Sequence, residues 1–200
     1  MKAYFFLKRG VDLLFALVVI LGILSWLLPV LALLIKLDSK GPVFFLQKRG
    51  GKGGMPFTCY KLRTMVVNKE ADECAASDDD WRVTRIGKVL RKSHLDELPQ
   101  FFNVLLGAMS LVGPRPYMLT DCQKFSRMIP DHPLRYYVRP GMTGLAQIKG
   151  YHGPVTDFKM IFTRFQWDVF YVRHVSLMMD LRILHRTIKL FLTQRRPLCK

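Results

Sequence analysis

From Leu13 to Ile35 the chain reads LLFALVVILGILSWLLPVLALLI, 23 residues without a charge. As a straight helix this run covers about 34 Å, enough to cross the hydrocarbon core of a bilayer. A signal peptide fits less well, because the apolar core is too long and Lys36, not a small-residue cleavage site, follows it. Two details pull against a simple crossing. Lys2, Lys8 and Arg9 precede the run and Lys36, Lys40, Lys48 and Arg49 follow it, so both flanks carry the basic residues typical of a cytoplasmic end. Pro29 lies inside the run, where it removes one backbone donor and leaves the Ser25 carbonyl without its helical partner, so a bend is expected there. A re-entrant helix, which enters, breaks near Pro29 and returns to the same face, satisfies both facts and places Lys2 and Lys40 together in the cytoplasm. The Ser25 hydroxyl, other protein or lipid headgroups are then expected to cover the freed backbone groups. Asp12, one turn from Lys8 and Arg9, fits an interfacial position with local charge pairing.

The remaining composition narrows the partners. A net charge of +16 on a chain that is 50% hydrophobic points to an anionic membrane surface or to phosphate-bearing substrates. No zinc-finger spacing, basic zipper or repeated basic-aromatic RNA motif is present, so nucleic acid is not an expected partner. Cys59, Cys74, Cys122 and Cys199 form no CxxC pair and have no His at metal spacing, which implies reduced thiols facing a cytosol and neither a disulfide framework nor a zinc site.

Two β-prone runs, Val43–Gln47 and Phe57–Leu62, flank a glycine-rich loop and predict a hairpin. The loop lacks GxxxxGK[ST] and its strand-to-helix setting, so it reads as a hairpin loop and not as a phosphate cradle. The acidic stretch Glu70–Asp80 reads as a solvated loop or short polar helix, with nothing nearby to complete a calcium loop. Val83, Ile86, Val89 and Leu90 recur at helical spacing among basic residues, predicting an amphipathic helix suited either to a membrane surface or to a core with a solvated face. Phe158, Ile161, Phe162, Phe165, Val169 and Val172 predict long C-terminal helices, with Trp167, Phe170 and Tyr171 either lining a headgroup layer or buried in the core.

The stretch KSHLDELPQ places Asp96 and Glu97 side by side. A structural account makes Ser93 or Asp96 a helix cap, the acids dipole complements worth roughly 0.3–1 kcal/mol each, and Pro99 a first-turn residue. That account leaves their neighbours unexplained: Lys88, Arg91 and Lys92 lie just upstream, and SLVGPRP adds Arg115 between two prolines. Positive charge at a helix start holds phosphate and favours an ionised carboxylate by lowering its pKa. An ionised Asp at a phosphate site is a nucleophile or a metal ligand, and the adjoining Glu97 makes Mg²⁺ a sensible companion, with both acids as its ligands.

At these residues the chain resembles a known family. RVTRIGKVLRKSHLDELPQFFNVLLGAMSLVGPRP is similar to the signature of bacterial sugar transferases, the monotopic phosphoglycosyl transferases that begin exopolysaccharide, O-antigen and glycan assembly. KRGVD, GPVFFLQKRGGKGGMPFTCYKLRTM and VRPGMTGLAQIKGY support it, and the likeness runs from about residue 8 to about residue 190. The resemblance implies that Asp96 attacks the β-phosphate of a UDP-sugar and releases UMP, after which polyprenyl phosphate takes the phosphosugar. It also implies Mg²⁺ with Glu97 assisting, Lys61, Arg91 and Arg115 as phosphate-binding cations, and Arg9 as a phospholipid headgroup contact. The family's membrane helix breaks at a Ser-Pro pair, whereas here the pair is Leu28-Pro29. GYHGPVTDF resembles members that use UDP-glucose or UDP-galactose, and the chain resembles the minimal form without added spanning helices.

The resulting expectation is an α+β, mostly helical protein: a re-entrant membrane helix over residues 1–40 and a catalytic domain over 41–200 with amphipathic interfacial helices and a small β-hairpin. It would act at the cytoplasmic face of a bacterial inner membrane with UDP-sugar, polyprenyl phosphate and the lipid bilayer as partners, a homodimer being left open. The alternative from another class is a non-catalytic, membrane-docked scaffold of a glycan pathway.

Overall fold

The computed structural model describes residues 2–67, 80–151, 153 and 157–193. The chain opens with α1 (Lys2–Val19), a π-helical turn (Ile20–Leu24) and α2 (Ser25–Asp38), which together are long and apolar enough to cross a membrane. The hairpin follows as β1 (Phe44–Gly50) and β2 (Pro56–Leu62), antiparallel with Phe45 opposite Lys61. After α3 (Arg85–Ser93) come a 3₁₀ turn (Leu95–Glu97), α4 (Gln100–Leu105), β3 (Ser110–Val112) and α5 (Leu119–Met128). A second 3₁₀ turn (His132–Tyr137), β4 (Gly141–Thr143) paired in parallel with β3, α6 (Leu145–Ile148), α7 (Phe158–Arg173) and α8 (Leu177–Thr193) complete it. With 63% of residues helical and a two-stranded antiparallel sheet, the mostly helical α+β expectation holds.

The N-terminal helix departs from expectation in one detail. It continues through Pro29, and the distortion lies upstream at Ile20–Leu24. The π turn has a packing consequence. Asp12, Ala16 and Val19 are buried at normal helical spacing, and the next buried position is Leu24, followed by Leu31 and Ile35. The five-residue step from Val19 to Leu24 is the extra residue of a π turn, which keeps one stripe on the protein while the other faces stay exposed. The Ser25 hydroxyl donates to the Leu21 carbonyl at 2.7 Å and the Trp26 indole to that of Gly22 at 2.9 Å, so two of the carbonyls in the distorted turn keep donors.

Both halves of this segment rest on the same body. Ala16, Val19 and Leu24 join the main core with Phe101, Val104 and Met109, whereas Leu31 and Ile35 pack with Leu62 and Leu90. The Val, Leu and Ile side chains among them each contribute about 1.5–3 kcal/mol on burial. Asp12 is not an interfacial ion-pair partner: it is 3% exposed and accepts the Leu111 backbone N–H at 3.1 Å. Lys8 pairs with Asp180 on α8, 2.8 Å away, and Asp180 also accepts the Tyr4 hydroxyl at 2.8 Å and that of Tyr171 at 2.7 Å. At the other end Asp38 accepts the Ile86 N–H at 3.0 Å, and Arg63 donates to the Ser39 carbonyl at 2.7 Å.

The amphipathic helix over 83–90 forms as α3 and turns Leu90 into the core, with Val89 exposed. Tyr171 is buried, not at a headgroup layer, because its hydroxyl is bonded to Asp180, while Phe170 is exposed. Of the acidic stretch only Asp80 is described, and it clamps Arg82 at 2.6 Å. Cys59 and Cys122 are free thiols, and Cys74 and Cys199 lie outside the described residues, as does most of HGPV in GYHGPVTDF.

Candidate active site

The acidic pair sits at a sharp reversal. α3 ends at Ser93, whose hydroxyl donates back to the Val89 carbonyl at 2.8 Å, and His94 takes the left-handed conformation with φ 56°. His is among the residues that tolerate this region. The following 3₁₀ turn carries Asp96 and Glu97 between Leu95, which packs with Leu62 and Leu90, and Leu98, which packs with the main core. Two apolar anchors in separate clusters therefore hold the acids up between them. Neither Ser93 nor Asp96 caps α4; Pro99 occupies that position with no side-chain cap. α4 ends at Leu105, two residues before Gly107, whose φ is 87°.

The two carboxylates have unequal surroundings. Glu97 Oε1 lies 2.6 Å from Lys61 Nζ and 2.6 Å from Arg115 Nη2, and Arg115 Nη1 reaches Oε2 at 3.3 Å. Burial alone would raise the Glu97 pKa, but Arg115 and Lys61 together hold it well below the usual carboxylate range, and Glu97 in turn raises that of Arg115. Asp96, in contrast, accepts no hydrogen bond from the described residues. Burial raises its pKa, with Glu97 adding to the effect and Lys61 and Arg91 opposing it. Neighbouring cations do act to lower the Asp96 pKa, as expected, but desolvation outweighs them and the net direction is upward, because the close ion pairs of Lys61 and Arg115 are with Glu97.

The other expected site residues divide into two groups. Lys61 on β2 and Arg115 after β3 bind Glu97 directly, and Arg91 on α3, bonded to the Thr64 hydroxyl at 2.9 Å, is near enough to act electrostatically on Asp96. Arg9 lies elsewhere and donates to the Val104 and Leu105 carbonyls at 2.7 and 3.0 Å, capping the C-terminal end of α4. A cation there complements the helix dipole.

Several supporting residues have no sequence motif of their own. Asn103, 2% exposed, accepts the Tyr60 N–H at 2.9 Å and donates to the Thr58 carbonyl at 2.7 Å, docking β2 and hence Lys61 onto α4. A lone polar residue inside FFNVLL is the signal that marks it. Gly87 lets α3 approach the chain at Thr64, since a Cβ there would lie 2.0 Å from the Thr64 carbonyl oxygen.

The donor set bears on the expected Mg²⁺. Among the described residues no His, Cys or third carboxylate joins Asp96 and Glu97, so the pair does not form an all-protein cage. It fits a hard cation held by one or two carboxylates and completed by phosphate oxygens and water. Asp96 would be the open ligand for such a cation, whereas Glu97 would first have to release Lys61 or Arg115.

Residues 3–194 match the bacterial sugar transferase family. A UDP-N-acetylgalactosamine-undecaprenyl-phosphate N-acetylgalactosaminephosphotransferase of Aeromonas hydrophila is 47% identical over 191 residues, covering 95% of this chain and 44% of that protein. A UDP-glucose:undecaprenyl-phosphate glucose-1-phosphate transferase of Caulobacter vibrioides is 44% identical over 187 residues, covering 93% of this chain and 70% of the relative. The exopolysaccharide production protein PSS of Rhizobium leguminosarum is 42% identical over 197 residues, covering 94% of this chain and 96% of its own. The chain thus spans under half the length of the Aeromonas protein and nearly all of the Rhizobium one. Together with a site that gathers two acids and three cations beside an apolar N-terminal helix, a match over this length carries one conclusion: the chain belongs to the bacterial sugar transferase family.

Proposed function

We propose that this protein transfers a sugar 1-phosphate from a UDP-sugar to polyprenyl phosphate, undecaprenyl phosphate being the acceptor in the names of its relatives. The observation that carries the reading is the division of labour between adjacent acids: Glu97 binds Lys61 and Arg115, and Asp96 has no hydrogen-bond partner among the described residues. A nucleophile must keep a lone pair free.

In the first step an Asp96 oxygen attacks the β-phosphorus of the donor. The bond from that phosphorus to the bridging oxygen breaks, UMP leaves with the electron pair, and the phosphosugar stays on Asp96. In the second step an oxygen of polyprenyl phosphate attacks the same phosphorus and Asp96 departs as a carboxylate, giving polyprenyl diphosphate sugar. Lys61, Arg91 and Arg115 bind and orient the diphosphate; Lys61 and Arg115 are held ready by Glu97, which keeps them together before substrate arrives. Mg²⁺, held by Asp96 with Glu97 alongside, would supply further neutralisation of phosphate charge when bound.

The topology that serves this reaction is re-entrant, with the acidic pair at the cytoplasmic face of the inner membrane. Support comes from the basic flanks and from the contacts of both halves of the apolar segment with one body: Lys8 with Asp180 before the π turn, Asp38 with Ile86 after it. The sugar stays open between hexose and N-acetylhexosamine, because the relatives' names include both.

Incubation with UDP-sugar in the absence of lipid tests the reading. Mass spectrometry is expected to find a phosphosugar on Asp96 and one equivalent of UMP in solution. Full turnover by Asp96→Asn, or no UMP across a panel of UDP-sugars with undecaprenyl phosphate, would overturn it and return the scaffold alternative.

A further inference from the structure

We propose that the buried Arg135–Asp168 pair is a positioning element for Arg115, fixing the aim of the cation that the reading above places on the donor diphosphate. The inference rests on that reading for the role of Arg115 and on geometry for the rest.

The loop carrying Arg115 has every carbonyl from Pro114 to Tyr117 engaged. The Pro114 carbonyl accepts Gly141 N–H at 3.0 Å, that of Arg115 accepts Arg135 Nη2 at 2.7 Å, that of Pro116 accepts Arg49 Nη1 at 2.7 Å, and that of Tyr117 accepts Gly50 N–H at 3.0 Å. Prolines on either side of Arg115 fix their own φ near −65°. With φ restricted and carbonyls held, the direction in which the Arg115 side chain leaves the backbone is set, and it leads to Glu97.

Arg135 is the contact to Arg115 itself. It is 3% exposed, its Nη2 also lies 2.7 Å from Asp168 Oδ2, and its guanidinium stacks 3.9 Å over the Tyr117 ring. Asp168, 2% exposed, reaches it from α7, 33 residues further along the chain. Stability alone is a weak reason for such a pair, since well-packed apolar residues often replace buried ion pairs at no loss. A guanidinium oriented by a carboxylate offers what apolar residues cannot, a fixed donor for one carbonyl. A displacement of about 1 Å at a binding group can cost on the order of 10²-fold in rate.

The test is a double-mutant cycle read as UDP affinity by calorimetry on the full chain in detergent. Arg135→Lys, which keeps the charge, is expected to weaken UDP about tenfold when Arg115 is present and less than about twofold in the Arg115→Ala background, where Lys61 and Arg91 still hold UDP. Asp168→Asn, nearly isosteric, is expected to repeat the pattern should Arg135→Lys fold poorly. Equal losses in both backgrounds, or an Arg115→Ala protein that binds UDP as wild type does, overturn the positioning role. Wild-type protein that fails to bind UDP counts instead against the UDP-sugar reading.

Discussion

Glu97 Oε1 lies 2.6 Å from the ammonium of Lys61, a residue 36 positions away in sequence. The same oxygen takes Arg115 at 2.6 Å, so one carboxylate gathers two cations from separate parts of the chain while its neighbour, Asp96, accepts no hydrogen bond from the described residues. The chemistry proposed for the site follows from that asymmetry.

Glu97→Gln leaves Lys61 and Arg115 without a counter-charge and is expected to cost about 2 kcal/mol of stability. Because the Glu97 pKa is depressed in the folded protein, its contribution is complete above the ordinary Glu value and is lost as pH falls below it. Thermal unfolding in detergent from pH 6 to pH 3.5 should show a falling midpoint for wild type and a flatter one for Glu97→Gln.

Asp96 titrates in the opposite sense. With Asp96 as the proposed nucleophile, its raised pKa places the protonation that removes it at a pH above the usual Asp range, so kcat/KM for UDP-sugar should fall on the acid side with a limb displaced upward. Lys61 is the strongest cation opposing that rise, and Lys61→Met should move the limb further up. A limb at the ordinary Asp value would count against Asp96 as the ionising group.

Gly87→Ala places a methyl group 2.0 Å from the Thr64 carbonyl oxygen. Separating α3 from that chain should cost about 1–3 kcal/mol and weaken the Arg91–Thr64 contact, lowering activity with it. Gly10→Ala, with nothing within 4 Å of its new methyl, is the helical control and should be neutral or slightly stabilising. Urea unfolding compares the two.

Asp180→Asn removes the charge that Lys8, Tyr4 and Tyr171 share. A loss of about 3 kcal/mol is expected for leaving the Lys8 ammonium, 12% exposed, unpaired. Limited proteolysis should then cut α1 faster than in wild type, whereas Asp180→Glu should recover part of the protection.

The proposed re-entrant topology predicts that single cysteines at Ala3 and Lys40, introduced in a cysteine-free protein, are both shielded from a membrane-impermeant reagent on the periplasmic side. Labelling of one and not the other would establish a crossing.

Local pattern made much of the fold legible. The hairpin followed from two β-prone runs around glycines, and α3, α7 and α8 from apolar residues at three and four. The membrane segment was legible as apolar length, but the place of its distortion was not: Pro29 marks where a donor is missing, while the π turn at Ile20–Leu24 answers to keeping Leu24, Leu31 and Ile35 on the packed stripe. The role of Asp12 is hidden from local pattern for a similar reason, since its partner is a backbone N–H of β3, 99 residues away.

The sequence by itself determined the inventory of the site: two adjacent acids, cations at Lys61, Arg91 and Arg115, prolines stiffening the last, and an apolar helix with basic flanks. Only the tertiary structure decided how those charges are shared. Which carboxylate meets the cations depends on a reversal at His94 and on Leu95 and Leu98 entering different cores, and burial acts on both acids while close ion pairs offset it only at Glu97. Burial and charge pairing fall off over a few ångströms, so neighbours in sequence can end in opposite electrostatic states, as Asp96 and Glu97 do.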